Sequence, residues 1–154
     1  MPIRNVDYGE NVKIYEPVNL YGCTIGDNTR IGAFVEITAG ARIGRNCKIS
    51  SHSFICGGVT IGDNCFVGHG VVFINDRHPR ATKPDGTPEE LGDWFERFVE
   101  TKISNNVSIG SNATILGGIT IGEGAVIGCA SVVTKDVPVG ETWCGNPARK
   151  VEKR

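Results

Sequence analysis

Aliphatic residues recur along this chain at every sixth position. Ile25, Ile31, Ile37, Ile43, Ile49, Ile55, Ile61, Val67 and Phe73 form one unbroken run; Ile103, Ile109, Ile115, Ile121, Ile127, Val133 and Val139 form a second. Val6, Val12 and Val18 make an earlier run, one residue out of phase with Ile25. With each member taken as position i, the residue at i+4 is also small or β-branched: Thr29, Val35, Ala41, Cys47, Ser53, Val59, Cys65 and Val71, then Val107, Ala113, Ile119, Ala125, Ser131 and Val137. Position i+3 is Asn, Gly or Asp in 12 of the 15 hexads from Ile25 to Val133. Those residue types adopt a left-handed backbone at least cost. A period of six does not match the ~3.6-residue period of an amphipathic helix. It predicts short strands joined by turns of roughly 120°, three hexads to a triangular coil of about 18 residues, with i and i+4 pointing inward. Stacked coils at strand spacing of ~4.8 Å then bury a continuous core that no single coil has.

The repeat stops after Phe73 and resumes at Ile103. The intervening excursion, about 75–102 in a single domain spanning 1–154, holds three of the seven prolines. It is basic first (Arg77, His78, Arg80, Lys83) and acidic later (Glu89, Glu90, Asp93, Glu96, Glu100). Thr87-Pro88-Glu89-Glu90 suits the start of a short helical turn, which Gly92 is expected to end. Trp94, Phe95 and Phe98 need burial, for which a neighbouring subunit is one source. A long insertion in an otherwise strict repeat reads as an active-site loop on a rigid scaffold; a charged surface excursion is the alternative.

Composition agrees with the strand reading. The 16 Ile and 16 Val far outnumber the 3 Leu, and β-branched side chains favour strands. The 21 Gly supply turns. A net charge of -1 gives no global field for nucleic acid or membrane. No apolar run approaches the ~18 residues of a membrane span, and Met1 to Glu10 lacks a signal-peptide core, so the expected location is cytoplasmic. The six cysteines show no zinc spacing and are expected as reduced thiols. Cys23, Cys47 and Cys65 fall in inward slots; a catalytic role stays open for Cys56, Cys129 and Cys144.

The [LIV]-G-x-x-x-x pattern resembles the hexapeptide-repeat family. That resemblance implies an all-β, left-handed parallel β-helix, a hand that periodicity alone does not give. The run GHGVVFINDRHPRAT from Gly68 to Thr82 is more specific. With SHSFIC before it and SVVTKDVP and GNPARKV after it, it resembles the nucleotide-sugar N-acetyltransferases of bacterial polysaccharide biosynthesis. The nearest likeness is to enzymes acetylating the 3-amino group of UDP-linked 2-acetamido-3-amino-2,3-dideoxyglucuronate. Acetyltransferases of dTDP-linked 3-amino-3,6-dideoxyhexoses are similar. The resemblance implies a homotrimer, with acetyl-CoA as co-substrate in the groove between prisms and the loop reaching across. It also implies that Asn75 orients the sugar's 3-amino group and that Lys135 lies near the CoA end. Cys56-Gly57-Gly58 departs from the pattern, since relatives often carry an acidic residue at Gly57.

Other candidates rest on residue chemistry. His69, between two glycines, and His78, in the loop, are possible general bases, because imidazole titrates near neutrality. An amine acceptor needs less help than a hydroxyl, so a His base matters most if the reaction is O-acetylation. Asp76 either contacts the sugar or fills a positive-φ turn slot. Arg77 and Arg80 suit a pyrophosphate or sugar carboxylate through bidentate hydrogen bonds. Backbone at Gly117, Gly118, Ala130 and Ser131 suits pantetheine amides, and Arg149 with Lys150 suits CoA phosphates. No metal is expected: His52, His69 and His78 lack the His-x-x-x-x-His pair of the γ-type carbonic anhydrases, which share this scaffold. A non-catalytic β-helix scaffold is the third alternative; it would need neither the groove nor the loop.

Overall fold

The computed structural model of the chain describes residues 1–152. It is a left-handed parallel β-helix of about 8 turns. Three parallel sheets form the faces of the prism. Face 1 contains the strands Asn19–Tyr21, Glu36–Ile37, Phe54–Ile55, Val72–Phe73, Thr114–Ile115 and Val132–Val133. Face 2 contains Thr24–Ile25, Arg42–Ile43, Val59–Ile61, Thr101–Ile103 and Thr120–Ile121. Face 3 contains Lys13–Ile14, Arg30–Ile31, Lys48–Ile49, Phe66–Val67, Ser108–Ile109 and Val126–Ile127. The chain turns from face 1 to face 2 at the first corner, from face 2 to face 3 at the second, and back to face 1 at the third.

The inward positions are those the period predicts. Every i residue from Ile25 to Val133 and every i+4 residue from Thr29 to Val137 is buried. Stacked isoleucines align across coils, as in Ile37 with Ile55 and Ile61 with Ile103. Each fully buried Ile contributes roughly 1.5–3 kcal/mol. The polar inward residues are satisfied locally. Thr29 Oγ1 donates to Gly44 O at 2.8 Å and accepts from Cys47 N at 3.0 Å; Ser53 Oγ donates to Gly68 O at 2.9 Å. The Cys47 and Cys65 thiols donate to backbone carbonyls of the next coil, Gly62 O and Ser104 O, each at 3.1 Å.

Turn geometry holds even where the residue type argues against it. Phe34, His52 and Ala130, the three exceptions at i+3, have φ of 62°, 64° and 56°. Phe34 and His52 occupy one corner column, their rings stacked with centroids 4.8 Å apart. Asp76 is not among the positive-φ residues, because the chain leaves the coil there.

Three sequence expectations change. Val6, Val12 and Val18 are not i residues: Tyr8, Ile14 and Leu20 pair with Ile25, Ile31 and Ile37, so the valines fill i+4 slots. The phase slips because the first corner, between Leu20 and Ile25, is one residue short. Val139 is 73% exposed. There the last coil abandons the repeat: Val137 bridges to Ile121, and the chain passes on to the hairpin Thr142–Gly145 and Ala148–Lys150. Gly92 lies inside the helix Leu91–Phe95 rather than ending it, because the capping box of Glu90 and Asp93 starts the helix just before it.

Candidate active site

The excursion leaves the first corner after Val72–Phe73 and returns at Thr101–Ile103. Its ends are stitched together. Val99 N donates to Asn75 O at 2.9 Å, and Asp76 and Phe98 form an antiparallel bridge. The next coil's corner seats this base. A Cβ on Gly117 would lie 2.5 Å from Ile74 O and 2.7 Å from Val99 Cγ2, so only glycine leaves the loop room to cross. Arg77 Nε donates to Gly117 O at 2.7 Å, and its guanidinium lies against Gly118.

An ion-pair chain shapes the rest of the loop. Arg97 donates twice to Glu89, at 2.9 and 2.8 Å, and through Nε to Asp76 Oδ2 at 2.9 Å; Arg80 pairs with the same Glu89. The Glu89 side chain is only 1% exposed. Burying a carboxylate is costly unless it is paired and hydrogen-bonded. Hydrogen bonds from Arg97, and then from Arg80, hold its carboxyl well below the usual range, at about 2.

Folded this way, the loop brings Leu91, Trp94, Phe95 and Phe98 toward Tyr21, Ala39 and Phe54 of the prism. Between them lies a cleft of about 300 Å³, mostly apolar, with Glu36, Thr38, Cys56, Gly57 and Asn75 also in its wall. Asn75 is half-buried. Its Nδ2 donates to Gly57 O at 2.9 Å, and Gly57 N donates to Thr38 Oγ1 at 2.9 Å. A carbonyl can only accept, so this contact fixes which amide atom is nitrogen. It leaves Oδ1 without a hydrogen-bond partner among the described residues. Glu36 is the only carboxylate in the wall, projecting from face 1 in register between Asn19 and Phe54, and it forms no ion pair among the described residues. The Cys56 thiol donates to Phe73 O at 3.4 Å, and burial pushes its pKa up to about 11. It stays a neutral thiol at pH 7, unsuited to nucleophilic attack.

The candidates from sequence separate into groups. Asn75, Asp76, Arg77, Gly117 and Gly118 meet at the first corner. Asp76 and Arg80 are committed to the loop's ion pairs. Gly117 and Gly118 lie under the loop base. Lys135 is exposed at the first corner one coil further on, and Arg149 is exposed on the final strand. His78 is exposed, with its backbone N donating to Asp76 Oδ1 at 2.9 Å, and is not in the cleft wall. His69 is at the third corner, its Nδ1 sharing a 2.8 Å hydrogen bond with Ser51 Oγ, so the width of face 1 separates it from Asn75. Ala130 is at the same corner. Ser131 is fully buried, with Oγ accepting from Gly145 N at 3.1 Å and its carbonyl accepting from Thr114 N at 2.8 Å. Among the described residues no three His, Cys, Asp or Glu side chains converge to hold a metal.

Sequence reasoning overlooked Glu36 and Thr38. The 18-residue coil contained the signal: Glu36 lies two coils before Val72, on the face that leads to Asn75. It also overlooked Lys102. Two shallow hollows of about 290 and 400 Å³ on face 2 share Thr60 and Lys102.

The chain matches the family described as bacterial transferase hexapeptide (six repeats) over residues 22–57, 40–75 and 100–135. It is 52% identical over 62 residues to a chloramphenicol acetyltransferase of Klebsiella aerogenes; the match spans 40% of this chain but 30% of that protein. Among solved structures, it superposes on a mutant of AntD, an N-acyltransferase from Bacillus cereus in complex with dTDP and coenzyme A. That match has TM-score 0.73 and 21% identity, covering 97% of this chain and 83% of the other. A hexapeptide-repeat acetyltransferase from Vibrio cholerae complexed with acetyl coenzyme A matches with TM-score 0.69 and 25% identity, covering 85% of this chain and 70% of the other.

Proposed function

The chain belongs to the bacterial transferase hexapeptide family, and from that premise we propose that it transfers an acetyl group from acetyl-CoA to the 3-amino group of a nucleotide-linked sugar. One observation carries the amine reading. Asn75 Nδ2 is spent on Gly57 O, so the group it offers the cleft is an acceptor. The carboxylate of Glu36 is a second acceptor in the same wall. Two acceptors, one of them anionic, suit an ammonium or amine, which brings N–H donors and positive charge. The solved likenesses support the substrate classes: AntD is an N-acyltransferase crystallised with dTDP and coenzyme A, and the Vibrio cholerae protein with acetyl coenzyme A.

In this reading Glu36 takes one proton from the sugar ammonium. The neutral amine, held by Asn75 Oδ1, attacks the thioester carbonyl. As the C–N bond forms and the C–S bond breaks, the remaining excess proton on nitrogen passes to the departing sulfur, and Glu36 returns its proton to solvent. Positioning of this kind contributes several kcal/mol, within the roughly 7–11 kcal/mol range of effective-molarity effects. Arg77 and Arg80 lie outside the cleft wall and are engaged by Gly117 and Glu89. The reading therefore rests on the amine and not on a sugar carboxylate.

In this reading the extended arm of acetyl-CoA lies along the face 2 hollows, whose wall includes Thr60, Thr101, Thr120 and Lys102 together with Glu100 and Glu123. Lys135 and Arg149 are further exposed cations toward that end of the prism. A homotrimer completes the proposal, since Leu91, Trp94 and Phe95 remain exposed beside the cleft. The test is a thiol-release screen of nucleotide amino sugars with acetyl-CoA. Release with a 3-amino sugar nucleotide is expected; no release with any of them, alongside release with a hydroxyl acceptor, would overturn the proposal.

A further inference from the structure

The corner beneath Asn75 is held differently from the other corners of the prism. Elsewhere a backbone N–H at the corner donates to the carbonyl one coil away: Asn46 to Asp27, His52 to Ala33, Asn64 to Arg45 and Gly70 to Ser51. At Cys56-Gly57-Gly58 the equivalent bond, from Gly58 N to Ala39 O, is missing among the described residues. A side chain takes over instead, and Thr38 Oγ1 accepts from Gly57 N at 2.9 Å. The Gly57 carbonyl also lacks a backbone donor, because the following coil departs into the excursion; Asn75 Nδ2 fills that place at 2.9 Å. Buried Gly57 forms only these two hydrogen bonds among the described residues. Two glycines in succession give this stretch wide backbone freedom, so the Thr38 hydroxyl is what fixes the direction of the carbonyl that holds Asn75.

We propose that Thr38 is a positioning residue for acyl transfer, acting through Gly57 to keep Asn75 Oδ1 turned toward the acceptor amine. The proposal rests on the amine reading of the Asn75 cleft. Without Oγ1 the buried Gly57 N–H has no partner, and an unpaired buried donor is costly. The residue then rotates to find another acceptor and takes its carbonyl with it. Asn75 loses the contact that decides which amide atom faces the cleft, and a flipped amide presents N–H groups to an amine that brings its own. Thr38→Val keeps the branched shape and removes the oxygen; Thr38→Ser keeps the oxygen.

The test is a double-mutant cycle in acetyl transfer to a nucleotide 3-amino sugar, joined to an NMR measurement that needs no substrate. Thr38→Val should lower kcat about fivefold or more with the Michaelis constants nearly unchanged, and Thr38→Ser should stay within about twofold of wild type. Added to Asn75→Ala, Thr38→Val should cost no more than about twofold further, because the relay has already lost its end. A full second loss in that background, or wild-type turnover in Thr38→Val, overturns the proposal. The side-chain amide resonances of Asn75, identified by their loss in Asn75→Ala, give the second readout. They should move in Thr38→Val and hold in Thr38→Ser; unchanged resonances in Thr38→Val also overturn the relay. Failure of the amine reading looks different: wild type then leaves 3-amino sugars untouched while the Asn75 resonances still answer to Thr38.

Discussion

The side-chain Nδ2 of Asn75 donates to the backbone carbonyl of Gly57, one coil away, at 2.9 Å. The contact turns a loop residue into a fixed acceptor, because Gly57 is itself held by Thr38 Oγ1. Asn75→Ala removes that acceptor but leaves intact the backbone hydrogen bond from Val99 that closes the loop. Turnover should fall at least ~10-fold, corresponding to ~1.4 kcal/mol, with an unchanged circular dichroism spectrum. Turnover within twofold of wild type would show that the amide orients nothing.

Gly57→Ala should damage the same site from the prism side. A Cβ at Gly57 would stand 2.4 Å from Ala39 O, a backbone atom that cannot swing away. Overpacking of this kind costs typically ~1–3 kcal/mol. The variant should melt earlier and also lose turnover, since the shifted carbonyl is the partner of Asn75. Differential scanning calorimetry alongside kinetics checks both; an unchanged melting temperature would mean that the corner yields without cost.

The loop should be sensitive to acid. The Glu89 carboxyl is depressed from an ordinary 4.5 to about 2 by Arg97 and Arg80. A depressed carboxylate stabilises the fold fully above its unfolded pKa and loses that contribution as pH falls toward its folded pKa. The loop should therefore loosen between about pH 4.5 and 2 while the prism persists. Trp94 fluorescence in a Trp143→Phe background follows it. Glu89→Gln should already show the loosened signal at pH 7; a neutral-pH spectrum identical to wild type would remove the ion pairs from the account.

Phe95 and Leu91 are exposed beside an apolar cleft, the arrangement expected where a second copy packs. Light scattering at micromolar concentration should give the mass of three chains, and Phe95→Asp should lower it. A monomeric mass for the wild type would contradict the trimer.

Most of the fold was legible because its physics is one-dimensional. A strand every six residues, with an inward residue at i and i+4, needs only a local rule. It located the core from Ile25 to Val133. The corner residues Phe34, His52 and Ala130 fell outside its i+3 pattern, yet the stack imposes the left-handed backbone on them too. The rule failed at the ends of the prism. Near Leu20 a one-residue deletion in a corner changes phase without leaving a gap in hydrophobicity, and at Val139 the last coil has no successor to pack against. The site was half legible. Asn75 was singled out by the resemblance of the run from Gly68 to Thr82, since position alone suits a turn residue equally well, and it lines the cleft. Glu36 was not, because an outward glutamate on a strand looks like any solvated charge until the excursion folds back over it. The pairing of Arg80 and Arg97 with Glu89 was equally hidden, since it depends on how the loop closes rather than on any period.

The most direct measurement is steady-state acetyl transfer to a nucleotide 3-amino sugar and to its 3-hydroxy counterpart, by wild type, Asn75→Ala and His78→Ala. The account predicts that wild type acetylates the amine and not the hydroxyl, that Asn75→Ala loses at least ~10-fold in turnover, and that His78→Ala stays close to wild type. Full activity in Asn75→Ala, with loss only in His78→Ala and turnover of the hydroxyl sugar, would contradict it.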